Sequence, residues 1–159
     1  MTCNIREMRD DEAGLVAAMV RGLARDTGAK VIPKLTAEAL LAARDLIDIV
    51  VAEQDDRLRG ACLGLMTFST WRGGRGLYIV DLFVDAQTRG QNIGLRLLRQ
   101  SARRAALKGA TFIKLEVDLG NPGAARFYAR LGFAKKDEDR LYVLEQDRFR
   151  DFITRGDGT

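Results

Sequence analysis

VDLFVDAQTRGQNIGLRLLRQSARR, Val80 to Arg104, joins an apolar strand-like run to an arginine-rich helix across a short polar corner. That corner holds Arg89, Gly90, Asn92 and Gly94. A helix start exposes N–H groups that have no intrahelical partner and carries about half a positive charge, which suits a phosphate. Gly90 and Gly94 permit close approach to the backbone, and asparagine tolerates the left-handed conformation such a turn requires. Arg89 adds a full charge just ahead of the helix. The same residues also serve as simple packing and turn devices. Their spacing is neither G-x-x-x-x-G-K-[ST] nor G-x-G-x-x-G, so a P-loop and a dinucleotide fingerprint are both unsupported.

Outward from the corner, strand and helix patterns alternate without linker, repeat or low-complexity tract. Residues 4–8 read as a strand and 10–25 as a helix with Ala13, Val16, Ala17, Val20 and Leu23 on one side. A loop over 26–34 contains Gly28 and Pro33, and Thr36 caps a helix reaching about residue 46. Strands are expected over 49–54 and 60–69, joined by a polar turn at 55–59. TWRGGRG, residues 70–76, reads as a glycine-rich hairpin connection. The strand over 77–84 is nearly all apolar but is interrupted by Asp81. The helix over 90–109 turns Ile93, Leu97, Leu98, Ser101, Ala102 and Ala105 inward. A strand over 111–117, a helix over 122–131 and a last strand over 141–145 complete the pattern. Asn121 is a natural cap, Pro122 suits the first helical position, and Gly132 is placed to stop the helix in a left-handed conformation.

Length and composition bound the rest. At 159 residues the chain reads as one domain with its core over about 4–145 and a tail over 146–159. No apolar run approaches the ~20 residues that span a bilayer, and MTCNIREMRDDE lacks the apolar centre of a secretory signal. A cytoplasmic location is the expectation. Cys3 and Cys62 have no metal-ligand spacing and read as reduced, packed thiols. The absence of histidine removes Ser-His-Asp and Cys-His nucleophiles and His-ligated zinc, so no metal is expected. Proton chemistry must then use Asp, Glu, Tyr, Lys, Cys, backbone or water. From Ala86 to Leu115 there is no acid, whereas Arg89, Arg96, Arg99, Arg103, Arg104, Lys108 and Lys114 fall inside. Such a block suits an anionic ligand, and it serves equally as a solvated helix face. It lacks the interleaved aromatics of a nucleic-acid module, so no nucleic acid is expected as a partner.

Arg89-Gly90-Gln91-Asn92-Ile93-Gly94 resembles the R-G-x-G-x-G acetyl-CoA signature of the GNAT superfamily of N-acetyltransferases, with Asn92 in place of the middle glycine. A second signature of that family, N-x-x-A-x-x-F-Y-x-x-x-G-F, is matched by Asn121, Ala124, Phe127, Tyr128, Gly132 and Phe133. FSTWRGGRGLYIVDLFV looks like the diamine (spermidine/spermine) acetyltransferase branch, except that Val80-Asp81 stands where that branch has Glu-Asp. The resemblance covers about residues 4–145. It implies an α/β, GNAT-like (acyl-CoA N-acyltransferase) fold, with a mixed central sheet of six to seven strands flanked by about four helices. It also implies transfer of an acetyl group from acetyl-CoA to a primary amine by direct attack.

By that resemblance, backbone groups of Leu82, Phe83 and Val84 hold the pantetheine arm. Arg89, Gly90, Gln91, Asn92, Ile93, Gly94 and Leu95 surround the pyrophosphate, while Asn121, Ala124 and Tyr128 flank the cofactor from the other side. Tyr128 is the expected proton donor to the departing thiolate; the alternative is that it is only core. Asp81 is the first candidate for the base, as a carboxylate inside an apolar strand, and it could instead pair with an arginine or cap a backbone group. Glu116 and Asp118 are further candidates, as is a water chain. Trp71, Tyr78, Val80 and Asp81 are expected to line the acceptor side, and Arg72 and Arg75 beside Trp71 argue against a polycation. The expected partner is a small-molecule amine, with no membrane. Apolar residues in the last strand, with Phe149, Phe152 and Ile153, suggest a homodimer. Alternatives are a non-catalytic CoA-binding module and an enzyme acting on a protein or peptide amine.

Overall fold

A computed structural model describes residues 2–155. It falls into two compact units, one ending at Asn121 and the other beginning at Pro122. The first holds a five-stranded sheet in the order β1-β2-β3-β4-β5. Its elements are β1 (Asn4–Glu7), α1 (Ala13–Asp26), α2 (Ala37–Ala42), β2 (Asp48–Gln54), β3 (Arg57–Ser69), β4 (Gly74–Val84), α3 (Ile93–Leu107) and β5 (Ala110–Leu115). Pairing is antiparallel from β1 to β4 and parallel between β4 and β5. The α/β class with a mixed sheet agrees with expectation.

Strand alternation divides the core between two faces. Ile49 and Val51 of β2, with Ala61 and Leu63 of β3, join Met8, Val16, Val20 and Leu40 under α1 and α2. On the other face, Val50, Ala52 and Cys62 are fully buried with Ile93, Leu97 and Leu98 of α3. A Cβ on Gly60 would lie 3.0 Å from Leu97 and 2.6 Å from the Phe83 carbonyl, so only glycine lets β3, β4 and α3 meet there. Each buried Leu, Ile or Val contributes roughly 1.5–3 kcal/mol.

A buried ion pair fixes the entry to α1. Glu12 is 5% exposed. Its Oε1 accepts from Arg6 Nη2 at 2.6 Å, and its Oε2 accepts the Arg9 backbone N–H at 2.8 Å. These bonds hold its carboxyl below the usual range, the Arg6 side-chain bond acting most strongly. At the far end of α1, Gly28 (φ +67°) gives a left-handed stop, with Ala29 N–H donating to the Ala24 carbonyl at 2.9 Å.

Several expected boundaries move. The β2–β3 turn is shorter than residues 55–59: Asp55 and Asp56 alone adopt φ of 52° and 57°, the two left-handed centres of a tight hairpin, and Gln54 pairs directly with Arg57. The expected hairpin connection over 70–76 is likewise shorter, because β4 already begins at Gly74. Among the described residues five strands form rather than six to seven. Residues 141–145 have the right alternation but form no strand, since a strand exists only through a ladder to a neighbour. The second unit instead contains α4 (Pro122–Arg130) and α5 (Gln146–Thr154), the latter on residues read as tail. Phe149, Phe152 and Ile153 lie on α5; residues 156–159 of the expected tail lie outside the described residues.

Candidate active site

The site begins with a misalignment between strands. Leu63 of β3 faces Asp81 of β4, but the next pair is Gly64 with Ile79, leaving Val80 as an extra residue. Such a bulge bends its strand and disrupts the ladder. On the other side, parallel pairing of β4 with β5 ends at Ile79↔Leu115. Among the described residues Asp81, Leu82, Phe83 and Val84 therefore pair with β3 alone, and β4 presents an open edge on the β5 side.

That edge runs into the polar corner. Asp85 ends the strand: its backbone N–H donates to the Arg59 carbonyl at 2.7 Å, and Arg59 Nη1 donates to its Oδ2 at 3.1 Å. Its Oδ1 accepts from the Gln87 N–H at 3.0 Å, starting a single 3-10 turn over Ala86–Thr88. The Gln87 bond leads in holding the Asp85 carboxyl below its usual range, with Arg59 adding to it. Gly90 then takes φ +85° and Asn92 φ +59° with ψ 19°, so Asn92 occupies the glycine-like position expected of it.

The first intrahelical bond of α3 runs from Arg96 N–H to the Asn92 carbonyl at 3.0 Å. Amides of Ile93, Gly94 and Leu95 precede it and have no partner within the helix. A Cβ on Gly90 would meet nothing within 4 Å, so the approach is open. Arg89 sits at this turn but spends part of its charge on Asp26, 3.3 Å away at the end of α1. The Arg96 side chain donates to the Cys3 carbonyl at 2.7 Å and fastens α3 to the N-terminal segment.

Acidic and phenolic groups gather on one face beside the bulge. Tyr78 faces Leu65 and Asp81 faces Leu63, so the two project to the same side. Burial pushes the Asp81 carboxyl up to about 6. The Tyr78 phenol is also raised, first by burial and then by the nearby Glu116 carboxylate. Glu116 was expected within a strand; it lies just beyond β5, which ends at Leu115, and is exposed. Asp118 is occupied by a turn, its Oδ1 accepting the Gly120 N–H at 2.6 Å and its carbonyl the Asn121 N–H at 2.9 Å. Cys62, opposite Leu82 in the sheet, is buried with its thiol pushed up to about 11, which leaves it inert as a nucleophile.

Other expected site residues lie elsewhere. Trp71 stands in the β3–β4 turn, and from Gly74 to Asp81 the strand covers roughly 20 Å at about 3.3 Å per residue. The structure thus brings together Tyr78, Val80 and Asp81 but not Trp71. The Arg72 guanidinium stacks 4.6 Å from the centre of the Phe112 ring, and Arg75 Nη1 donates to the Lys108 carbonyl at 3.1 Å. Both therefore brace the same distant end of the sheet, and the argument against a polycation built on them does not apply at the site.

In the second unit, Ala124 and Tyr128 lie on α4. Tyr128 makes edge-to-face contacts with Phe127 and Phe133, ring centres 5.1 and 5.3 Å apart. Gly132 takes φ +90°, and N–H groups of Gly132 and Phe133 return to carbonyls of Ala129 and Tyr128, both at 3.1 Å. This is the left-handed helix stop expected from Gly132. Asn121 closes the first unit.

Two contributors escaped the sequence reading. The Asp85 carboxylate shapes the corner, and its signal was available as an aspartate two residues before the amide it caps. The closeness of Tyr78 on β4 to Glu116 just past β5 leaves no local pattern. Among the described residues no cluster of three His, Cys, Asp or Glu could hold a metal ion, and no helix is long and apolar enough to cross a membrane.

Residues 17–133 match the model of the Acetyltransferase (GNAT) family. A thialysine N-epsilon-acetyltransferase of Mus musculus is 32% identical over 140 residues, covering 80% of this chain and 82% of that relative. The fold is shared with an integron cassette protein from the mobile metagenome of V. cholerae, at TM-score 0.78 and 20% identity over 98% of this chain and 99% of that one. It is shared too with a predicted acetyltransferase from Clostridium acetobutylicum solved with acetyl-CoA, at TM-score 0.73 and 20% identity over 90% and 97% of the two chains.

Proposed function

Since the chain belongs to the GNAT acetyltransferase family and is an acetyl-CoA-dependent N-acetyltransferase, we propose that its acceptor is a primary amine of a small molecule, acetylated by direct attack at the opening between β4 and β5. The observation carrying this reading is that opening: among the described residues β4 has no strand on the β5 side beyond Ile79, and its edge leads to the amides of Ile93, Gly94 and Leu95, which have no partner within α3. A relative named for the ε-amine of thialysine supports a small primary amine.

Bound acetyl-CoA supplies the activated thioester. Backbone groups of Leu82, Phe83 and Val84 bond its pantetheine arm as an added strand would. Gly90, Gln91 and Asn92, with the amides of Ile93, Gly94 and Leu95, receive the pyrophosphate, and Arg89 contributes charge. Asn121, Ala124 and Tyr128 complete the cofactor-binding set on the strength of their motif.

Asp81 takes the ammonium proton, directly or through water. With its carboxyl near 6 it is ionised at neutral pH yet more basic than an exposed aspartate. Val80 and Tyr78 line the acceptor side with it, and the Glu116 carboxylate near Tyr78 offers a second anchor for a cation. Tyr128 donates the proton that the departing sulfur needs, since a phenol of pKa about 10 is protonated at neutral pH. We also propose a cytoplasmic location, which suits two buried free thiols.

The test is CoA-thiol release from acetyl-CoA with thialysine, lysine, polyamines, aminoglycosides and peptide N-termini as acceptors. Turnover of a small amine above every peptide is the expected result. Acetylation of peptides alone, or of nothing, contradicts the acceptor assignment.

A further inference from the structure

Asp85 lies one residue past the last register pair of β3 with β4, Gly60↔Val84, so the strand ladder does not hold it. Arg59 does. The register of β2 with β3 passes from Ala52↔Gly60 to Glu53↔Leu58, which leaves Arg59 as the extra residue of a bulge, without a β2 partner. Its carbonyl accepts the Asp85 N–H, and its Nη1 donates to the Asp85 carboxylate. Backbone and side chain of one residue thus grip the last acid before the cofactor corner.

From Asp85 the grip passes along the chain. Its Oδ1 holds the Gln87 N–H, and its carbonyl accepts both the N–H and the hydroxyl of Thr88, at 2.9 and 3.0 Å. Thr88 is buried, and Gly90 with its φ of +85° follows two residues later. Where Asp85 stands therefore sets the direction in which Gly90 and the first amides of α3 face.

The guanidinium itself is poorly satisfied. The Arg59 side chain is 18% exposed, and its Nε is buried without a hydrogen-bond partner among the described residues. A largely buried ion pair contributes little net stability, because desolvation offsets its attraction. The charge has a second use. Asp85 is the acid nearest in sequence to Arg89, and after the Gln87 N–H and Arg59 the Arg89 charge also holds the Asp85 carboxyl down. Arg89 is already drawn to Asp26, 3.3 Å away. Left unneutralised, Asp85 would be a second carboxylate pulling Arg89 away from an anionic ligand.

We infer that Arg59 is a positioning residue for the cofactor's diphosphate, acting through Asp85: it fixes the turn that aims the first amides of α3, and it keeps Asp85 from competing with the diphosphate for Arg89. This rests on the diphosphate site proposed above.

Arg59→Met removes the charge and keeps an apolar stem. CoA binding by calorimetry is expected to weaken about ten-fold, the scale of one lost charged contact. KM for acetyl-CoA should rise with it, while kcat and the acceptor KM hold. In the cofactor-free chain, amide exchange should quicken at Gln87 and Thr88. Arg59→Lys, which keeps a cation, should restore most of both. Glu12→Gln, which costs stability at the entry to α1, should leave CoA binding unchanged, so a general loss of stability is told apart from positioning. Unchanged CoA binding or unchanged exchange in Arg59→Met overturns the inference. So does a weakening that Arg59→Lys fails to relieve or that Glu12→Gln reproduces. Asn92→Val separates the two levels: if it weakens CoA binding and Arg59→Met does not, the role of Arg59 alone falls, whereas if neither does, the diphosphate site falls too.

Discussion

Tyr78 and Asp81 stand on the same face of β4 although three positions separate them, because Val80 is the extra residue of a bulge. Their partners on β3, Leu65 and Leu63, are two apart. Without the extra residue one of the pair would point towards α3, and the phenol and the half-buried acid would not share a face. The bulge thus both opens the strand edge and gathers the acid–base groups beside it.

Asp81→Asn tests the base. Turnover should fall roughly 10²-fold with cofactor affinity nearly unchanged, and the acidic limb of the pH–rate profile, near 6, should vanish. The linkage to stability has a definite sign. A carboxyl raised on folding binds its proton more tightly in the folded state, so Asp81 makes the fold less stable as pH rises from its ordinary value near 4 to about 6. The variant should lose that component of the pH dependence.

Tyr128→Phe tests the proton donor. A loss of roughly 10²-fold in turnover is expected, with CoA binding by calorimetry little changed. Turnover near wild type would assign the phenol to packing against Phe127 and Phe133 only.

Asn92 holds φ +59° at the head of α3. Asn92→Gly should be neutral in denaturant unfolding. Asn92→Val should cost about 1–2 kcal/mol, the penalty of the left-handed region for a residue with no local hydrogen bond to offset it, and should weaken CoA binding as well.

Glu12→Gln should destabilise the fold by roughly 1.5–3 kcal/mol near neutral pH through its lost charged hydrogen bonds. Because the Glu12 carboxyl is lowered on folding, that stabilisation is present above its ordinary value near 4.5 and disappears as pH falls through the depressed one. Wild type and variant should converge in acid.

The corner was the most legible part of the sequence because its chemistry is local. Gly90, Asn92 and Gly94 announce a backbone that must turn left-handed and admit a ligand, and the structure shows that turn. Asp81 was legible as a charge in an apolar run. Val80 was not, since one more valine among apolar neighbours carries no sign of a bulge. Glu116 was legible as a candidate acid, but its closeness to Tyr78 was not, since it runs from one strand to the residue just past another. Trp71 misled because adjacency in sequence to Tyr78 becomes distance along an extended strand. The run at 141–145 misled because alternation records compatibility with a strand, whereas a strand needs a neighbour.

The central claim is that acetyl-CoA lies along the open edge of β4 with its pyrophosphate on the start of α3, and amide hydrogen exchange with and without CoA tests it most directly. Protection concentrated at Leu82–Val84 and at Gly90–Leu95 is the predicted result. Protection confined to other segments, or none at saturating CoA, would contradict it.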